Sequence, residues 1–427
     1  MYVRGSDGGR KAAAAYLSEP GRSVRDMTDK RRLRSLKQAR RDVRRAKKRK
    51  AGNALDRQLK TVTGQLKDLT GQLNDATGQL TEIVRPRVDQ HPVYLVSMAS
   101  RAINVGNLNV TSLDASRPDG EKLYRLLTGL MSTRNRPVTA LLAVIAELLV
   151  DDPALQFECR AELAQRHEHL PGWIHSLSQV NVHRAVRRSD AFGDVDEIAI
   201  GARLVGGHGL TVVVRVDHNR FSGVTDIAIV PELIDEVLAR IAEPGSESVV
   251  EMDLADARAW IEGAFKKPVF AGDANTWMPN RPLVRWLISR LPEGGEGRTP
   301  SMDWASAVQL CESFFVSSSS APFNGPGYRE QLLELFETGS EDPLRWSETR
   351  VRDVLRNPSY YDDGTPLEVA LDVPDLLRAF IPYAHAQSGI GDELTSRTLA
   401  VIDELRPSYR HELMSEAREF WGYDDVG

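Results

Sequence analysis

Residues Glu197-Ile198-Ala199-Ile200-Gly201-Ala202-Arg203-Leu204-Val205, then Gly206-Gly207-His208-Gly209, then Leu210-Thr211-Val212-Val213-Val214-Arg215-Val216 decide the fold class. The two flanks are short and rich in β-branched residues, and the first alternates. The glycine cluster between them supplies residues that tolerate positive φ, which a tight hairpin needs. Val224–Val230 reads as a third strand and Val182–Arg187 as one preceding the hairpin. The expectation is an antiparallel sheet of three or four strands.

Helical periodicity surrounds this sheet. Pro231 opens a helix to about Ile241 with Leu233, Ile234, Val237, Leu238 and Ile241 on one face. Upstream, helices are expected over Glu121–Met131, Val138–Val150 and Ala154–Arg166, with another beginning near Pro171, while residues 93–113 suggest a strand and a turn. Downstream, the expected helices are Asp253–Phe265, Pro282–Leu291, Met302–Phe315, Tyr328–Phe336, Ser347–Leu355, Val373–Ile381 and Asp392–Glu404, with a last one after Ser408. The fold class is therefore α+β and mostly helical: a basic helix and coiled coil at the N-terminus, then a helical body with a small antiparallel sheet.

The N-terminal quarter differs in character. Of the chain's 55 basic and 60 acidic residues, positions 1–60 hold twenty and six, so an overall charge of −5 conceals a cationic arm on an anionic body. Residues 1–29, rich in Gly, Ser, Arg and Ala, are expected to be disordered. Met27-Thr28-Asp29-Lys30 reads equally well as a protein start, and residues 1–26 are assigned no function. Residues 30–51 form a basic helix by composition. Arg31, Arg32, Arg34, Lys37, Arg40, Arg41, Arg44, Arg45, Lys47, Lys48, Arg49 and Lys50 are its candidate contacts to nucleic acid. Such a density of cations neutralises phosphates without reading bases.

Residues 54–85 carry a seven-residue repeat, with Thr63-Gly64-Gln65-Leu66 recurring as Thr70-Gly71-Gln72-Leu73 and Thr77-Gly78-Gln79-Leu80. Its phase places Leu59, Val62, Leu66, Leu69, Leu73, Ala76, Leu80 and Ile83 on one seam, with Pro86 closing the segment. The repeated glycines all fall at the position furthest from a partner. Each costs about 1 kcal/mol relative to Ala, while each leucine a partner covers returns roughly 1.5–3 kcal/mol. Such a helix frays alone and holds when paired. Leu59, Val62, Leu66, Leu69, Leu73, Leu80 and Ile83 are the candidate oligomerisation residues.

A basic helix leading into a heptad seam resembles the layout of basic-zipper DNA-binding proteins in architecture. The base-reading Asn-Ala-Ala and Arg pattern of that family is missing, and Gly52-Asn53 interrupts the continuous helix it requires. The rest of the chain divides into an α+β domain at 92–245 and a helical domain at 246–427. Within it Trp346-Ser347, Val373-Pro374-Asp375-Leu376-Leu377-Arg378-Ala379-Phe380 and Tyr383-Ala384-His385-Ala386 are similar to stretches of an actinobacterial protein family of unknown activity. So are Asp217-His218-Asn219 with Asp226, and Arg281-Pro282-Leu283-Val284. The resemblance implies a body older than its arm and no particular chemistry.

Chemistry-bearing residues are sparse. Asp217-His218-Asn219 follows the Val212–Val216 strand, where a sheet can fix a catalytic imidazole, and Asp226 on the next strand is the expected orienting carboxylate. The bland reading is that Asp and Asn simply end a strand. His167-Glu168-His169 lies at a helix end, where i and i+2 diverge, so no metal is expected. Phosphate-binding, dinucleotide and nucleophile-elbow motifs are absent, and no cofactor or small-molecule ligand is expected. Cys159 and Cys311 form no CxxC pair, and the apolar run Val138–Val150 is too short to span a bilayer. The functional expectation is a cytoplasmic, non-enzymatic interaction or regulatory protein, self-associating through residues 55–83 and touching nucleic acid through its arm. An enzyme using Asp217 and His218 is the alternative. A scaffold whose basic arm docks on its own acidic body is a third reading.

Overall fold

The computed structural model describes residues 73–107, 120–241, 249–268, 277–299, 302–356 and 366–421. The basic helix 30–51, the coil up to residue 72 and the start of the chain lie outside them. So do the expected contacts Arg31 to Lys50, and Leu59, Val62, Leu66 and Leu69. The architecture is a mostly helical α+β fold around one small antiparallel sheet.

Among the described residues six helices precede the sheet: α1 (Leu73–Val88), α2 (Pro92–Asn107), α3 (Gly120–Ser132), α4 (Arg136–Leu148), α5 (Pro153–Leu163) and the single turn α6 (Gly172–His175). Helix α4 is their hub. Asn135 caps its first turn by accepting from the Val138 amide at 2.9 Å, and Pro137 sits where no amide partner is needed. Nine of its thirteen residues are buried, matching the apolar circumference of the sequence. Two expectations need correcting here. Residues 93–107 form a helix rather than a strand, because Val93, Val96, Ala99, Ile103 and the buried polar Ser100 and Asn104 recur at helical spacing. The Ser100 hydroxyl ties that helix to the Pro279 carbonyl at 2.8 Å and the Leu283 amide at 3.1 Å. Helix α1 also runs past Pro86 to Val88, since Val84 and Val88 are both buried and hold its last turn on the body.

The sheet has five strands in the order β4-β3-β2-β1-β5: β1 (Asn181–Ser189), β2 (Val195–Arg203), β3 (Gly209–Asp217), β4 (Gly223–Val230) and β5 (Val249–Met252). All neighbours are antiparallel. The β2–β3 hairpin pairs Ile200 with Val212 and Arg203 with Gly209. Gly206 and Gly207 take φ of +98° and +85°, the conformations for which glycine is suited. Strand β5 adds one more than expected. It is four residues long with the first three exposed, so it carries no alternation to read.

One sheet face enters the first core through Ile198, Ile200, Leu210, Val212, Val214 and Ile227. The other is partly covered by α7 (Ile234–Ile241), whose Ile234 and Leu238 pack on Val186, Ala199 and Val213. Gly209 makes this packing close: a Cβ there would sit 2.5 Å from the Leu233 amide nitrogen and 2.6 Å from the Glu232 carbonyl carbon. Thr211 fixes the same loop by donating to the Glu232 carbonyl at 2.9 Å. Gly209→Ala is therefore expected to cost about 1–3 kcal/mol, read as a lower denaturant midpoint. An unchanged midpoint would mean that the 231–233 loop simply moves aside.

Helices α8 (Leu254–Phe265) and α9 (Arg281–Ile288) complete the first core, which ends at Leu291. The second core starts at Ala307 and is built by α10 (Trp304–Val316), α11 (Pro326–Phe336), α12 (Glu348–Leu355), α13 (Leu367–Leu371), α14 (Val373–Ser388) and α15 (Asp392–Trp421). Apolar packing thus changes over between residues 291 and 307. Helix α15 is one 30-residue helix where two were expected. Pro407 removes one hydrogen bond, but Leu405, Tyr409, Leu413 and Ala417 bury on both sides of it, and the Tyr409 hydroxyl donates to the Ala370 carbonyl at 2.8 Å. Among the described residues no helix is long and apolar enough to cross a membrane.

Candidate functional site

Strand β3 ends at Asp217, and the chain turns through a 3-10 turn at His218–Arg220 before re-entering the sheet as β4. Asp217 caps that turn: its carboxylate accepts from the Asn219 amide at 2.9 Å and lies 3.9 Å from the Arg220 guanidinium. Burial pushes the Asp217 carboxyl up, with Arg220 opposing. This carboxylate serves the backbone and does not reach the imidazole beside it.

His218 points inward and is 1% exposed. Its amide donates to the Asp194 carbonyl at 2.7 Å, so main chain and side chain are both held. Nε2 lies 2.7 Å from Asp196 Oδ2 and Nδ1 lies 2.9 Å from Ser222 Oγ. The Ser189 hydroxyl donates to the other Asp196 oxygen. Burial works to raise the Asp196 carboxyl, but the hydrogen bonds from His218 and Ser189 and the charge of Arg187 hold it below its ordinary value. An ionised carboxylate only accepts. Nε2 therefore carries a proton, and in the neutral ring Nδ1 presents a lone pair to which Ser222 donates.

Asp226, the expected orienting carboxylate, is placed elsewhere. It is exposed, pairs across the sheet with Arg215, and accepts from the amide of its own neighbour Ile227 at 2.9 Å. Asp196 on β2 holds the ring instead. The signal for it is an acid in phase with the inward-facing Ile198 and Ile200 of its strand, opposite Val216 in register.

Around this triplet lies a second set of polar groups that joins the sheet to the second core. Asp194 Oδ2 accepts from Asn219 Nδ2 at 2.7 Å and from the Ser347 hydroxyl. Ser347 is also the cap of α12, accepting from the Arg350 amide at 3.0 Å. The Arg350 guanidinium is wholly buried and donates to the carbonyls of Asp342, Arg345, Leu335 and Phe336, stacked 3.9 Å over the Trp346 ring. Burial brings its pKa down to about 10, so it remains a cation at neutral pH. Gly339, at φ +59°, passes so close that a Cβ would lie 2.6 Å from Asn219 Oδ1 and 2.8 Å from Arg350 Cγ. Asn219 thus belongs to this joint, and of Asp217, His218 and Asp226 only His218 enters a side-chain relay.

Among the described residues no cluster of three His, Cys, Asp or Glu could hold a metal ion. His167 and His169 are both exposed beyond the end of α5. Both cysteines are buried free thiols, and burial pushes them up to about 11 for Cys159 and about 12 for Cys311, leaving neither poised as a nucleophile at neutral pH. Of the expected oligomerisation residues, Leu73, Leu80 and Ile83 fall in α1, where Ile83 is 49% exposed and its neighbour Val84 is fully buried. No protein-family profile, curated protein or solved structure matches this chain.

Proposed function

We propose that the chain is an interaction protein that binds further copies of itself through the heptad segment 55–83, with the basic arm of residues 30–50 contacting nucleic acid. The observation that carries this reading is the setting of helix α1. Val84 and Val88 anchor one face of its last turns in the body, while Ile83, about 100° round the helix, is left half exposed at the end of the heptad line. A helix already held by its neighbour enters a coil with much of its ordering cost met beforehand. A second copy of the same line is the occupant whose apolar spacing matches. A cytoplasmic setting suits the two unpaired cysteines, which a reducing compartment preserves.

Two measurements test the two halves. Lysines in place of Leu66 and Leu73 set charges on the seam, and sedimentation is expected to shift to the single-chain value. An unshifted coefficient would remove the coil from the account. Binding to unrelated DNA and RNA is expected to weaken steeply with added salt. Binding indifferent to salt, or unchanged without residues 30–50, would leave the arm to the acidic body.

A further inference from the structure

We propose that Ser222, His218 and Asp196 form a serine nucleophile relay at the β3–β4 turn, suited to acyl transfer from small carboxylic esters. This activity belongs to the body and is independent of the heptad segment. Asp196 and His218 are buried, and Ser222 is the outermost member, half-buried at the turn. Contacts of 2.7 and 2.9 Å connect carboxylate, imidazole and hydroxyl in one line. The proton already sits on Nε2, so Nδ1 is free to accept the serine proton. The relay needs one ring N–H and one ring lone pair, and either nitrogen can supply each.

The backbone provides a second, independent observation. Phe221 and Ser222 occupy the left-handed region at φ +62° and +56°, and neither is glycine. Such conformations cost on the order of 1–3 kcal/mol each and persist where the surroundings impose them, often at functional sites. Here the surroundings are close: a Cβ on Gly223 would lie 3.2 Å from the Arg220 carbonyl oxygen and 3.4 Å from that of Pro268. The turn also presents Phe221, the residue before the serine and 40% exposed, an apolar surface against which a short acyl group can lie.

The step is a substitution at the carbonyl. Ser222 Oγ attacks the acyl carbon and its proton passes to His218 Nδ1. The carbon–oxygen bond to the alcohol then breaks, and the departing alcohol takes that proton. Water repeats the sequence to release the acid. Ser222 is the nucleophile and His218 the general base. Asp196 acts through His218 as a positioning residue, fixing the ring tautomer.

The test uses the full chain and an alkyl fluorophosphonate, in which the Oγ–P bond forms as the P–F bond breaks and fluoride leaves with the serine proton. Intact mass and peptide mapping are expected to show one adduct, on Ser222. Ser222→Ala is expected to abolish it, and Asp196→Asn to slow it by about a hundredfold or more. The asparagine preserves shape but donates where the carboxylate accepts, so nitrogen-15 spectra of the folded variant should show the His218 proton moved from Nε2 to Nδ1. No adduct on the full chain, an adduct mapped to another residue, or undiminished labelling of the Asp196→Asn protein with its tautomer changed would overturn the relay.

Discussion

Arg350→Met is expected to destabilise the body by about 3–5 kcal/mol, seen as a lower guanidinium midpoint with an unchanged slope. The guanidinium supplies hydrogen bonds to four carbonyls, and two of them, Leu335 and Phe336, are the last of helix α11. Helix C-terminal carbonyls lack internal donors and carry partial negative charge, so a buried cation there serves both needs. Methionine fills most of the volume but removes these donors; the Leu335 carbonyl keeps the Thr338 amide and hydroxyl, while each acceptor left buried and unpaired costs about 1–3 kcal/mol. Lysine is not expected to rescue the loss, because an ammonium cannot reproduce the planar fork or its stacking on Trp346. A change below about 1 kcal/mol would show that water replaces the guanidinium at no cost, contrary to its complete burial.

The second large effect is acid sensitivity through His385. This imidazole is buried on α14: Nε2 accepts from the Trp346 amide at 3.2 Å, so Nδ1 carries the proton and gives it to Thr395 Oγ1 at 2.9 Å. The Thr395 hydroxyl in turn donates to the Gly391 carbonyl at 3.1 Å. Every partner suits the neutral ring, and burial brings the pKa down to about 4 from 6.5. Below pH 6.5 the unfolded chain takes up a proton that the folded chain refuses. The contribution is therefore neutral above pH 6.5 and turns destabilising as pH falls toward 4. The loss is about 1.4 kcal/mol per pH unit at its steepest and about 3 kcal/mol in all. His385→Gln keeps an acceptor and a donor in similar places, and its stability is expected to fall less between pH 6.5 and 4. Carboxyls that burial raises, such as Asp190 and Asp353, titrate in both proteins and cancel in the difference. Parallel curves would contradict the assignment.

How much of this was legible depended on what kind of signal each element carries. The β2–β3 hairpin announces itself because its glycines are required by φ and its strands by β-branching, so local and tertiary preferences agree. Helix α2 is misread as a strand because Val93, Val96, Ile103 and Val105 favour strands locally, and only burial of the Val93–Ala99–Ile103 line makes a helix of it. Pro407 suggests a break that the packing of Tyr409 and Leu413 overrides. At the site, His218 was findable from its place after a strand. Its partners were not, because Asp196 lies 22 residues back on a different strand, and Ser222 becomes notable only through its backbone conformation. The Asp194–Ser347 bond spans 153 residues and joins two cores, a contact that no periodicity encodes. Residues Ser347 and Arg350 read in sequence as a helix start, which they are, and as nothing more.

The proposed self-association runs through the heptad line whose last member, Ile83, stands half exposed beside the buried Val84. Light scattering on the full chain over a hundredfold range of concentration tests it most directly. The expected molar mass is at least twice the 47.5 kDa of one chain and reverts to a single chain when residues 55–83 are removed. A full-length chain that scatters as one copy throughout that range would contradict it.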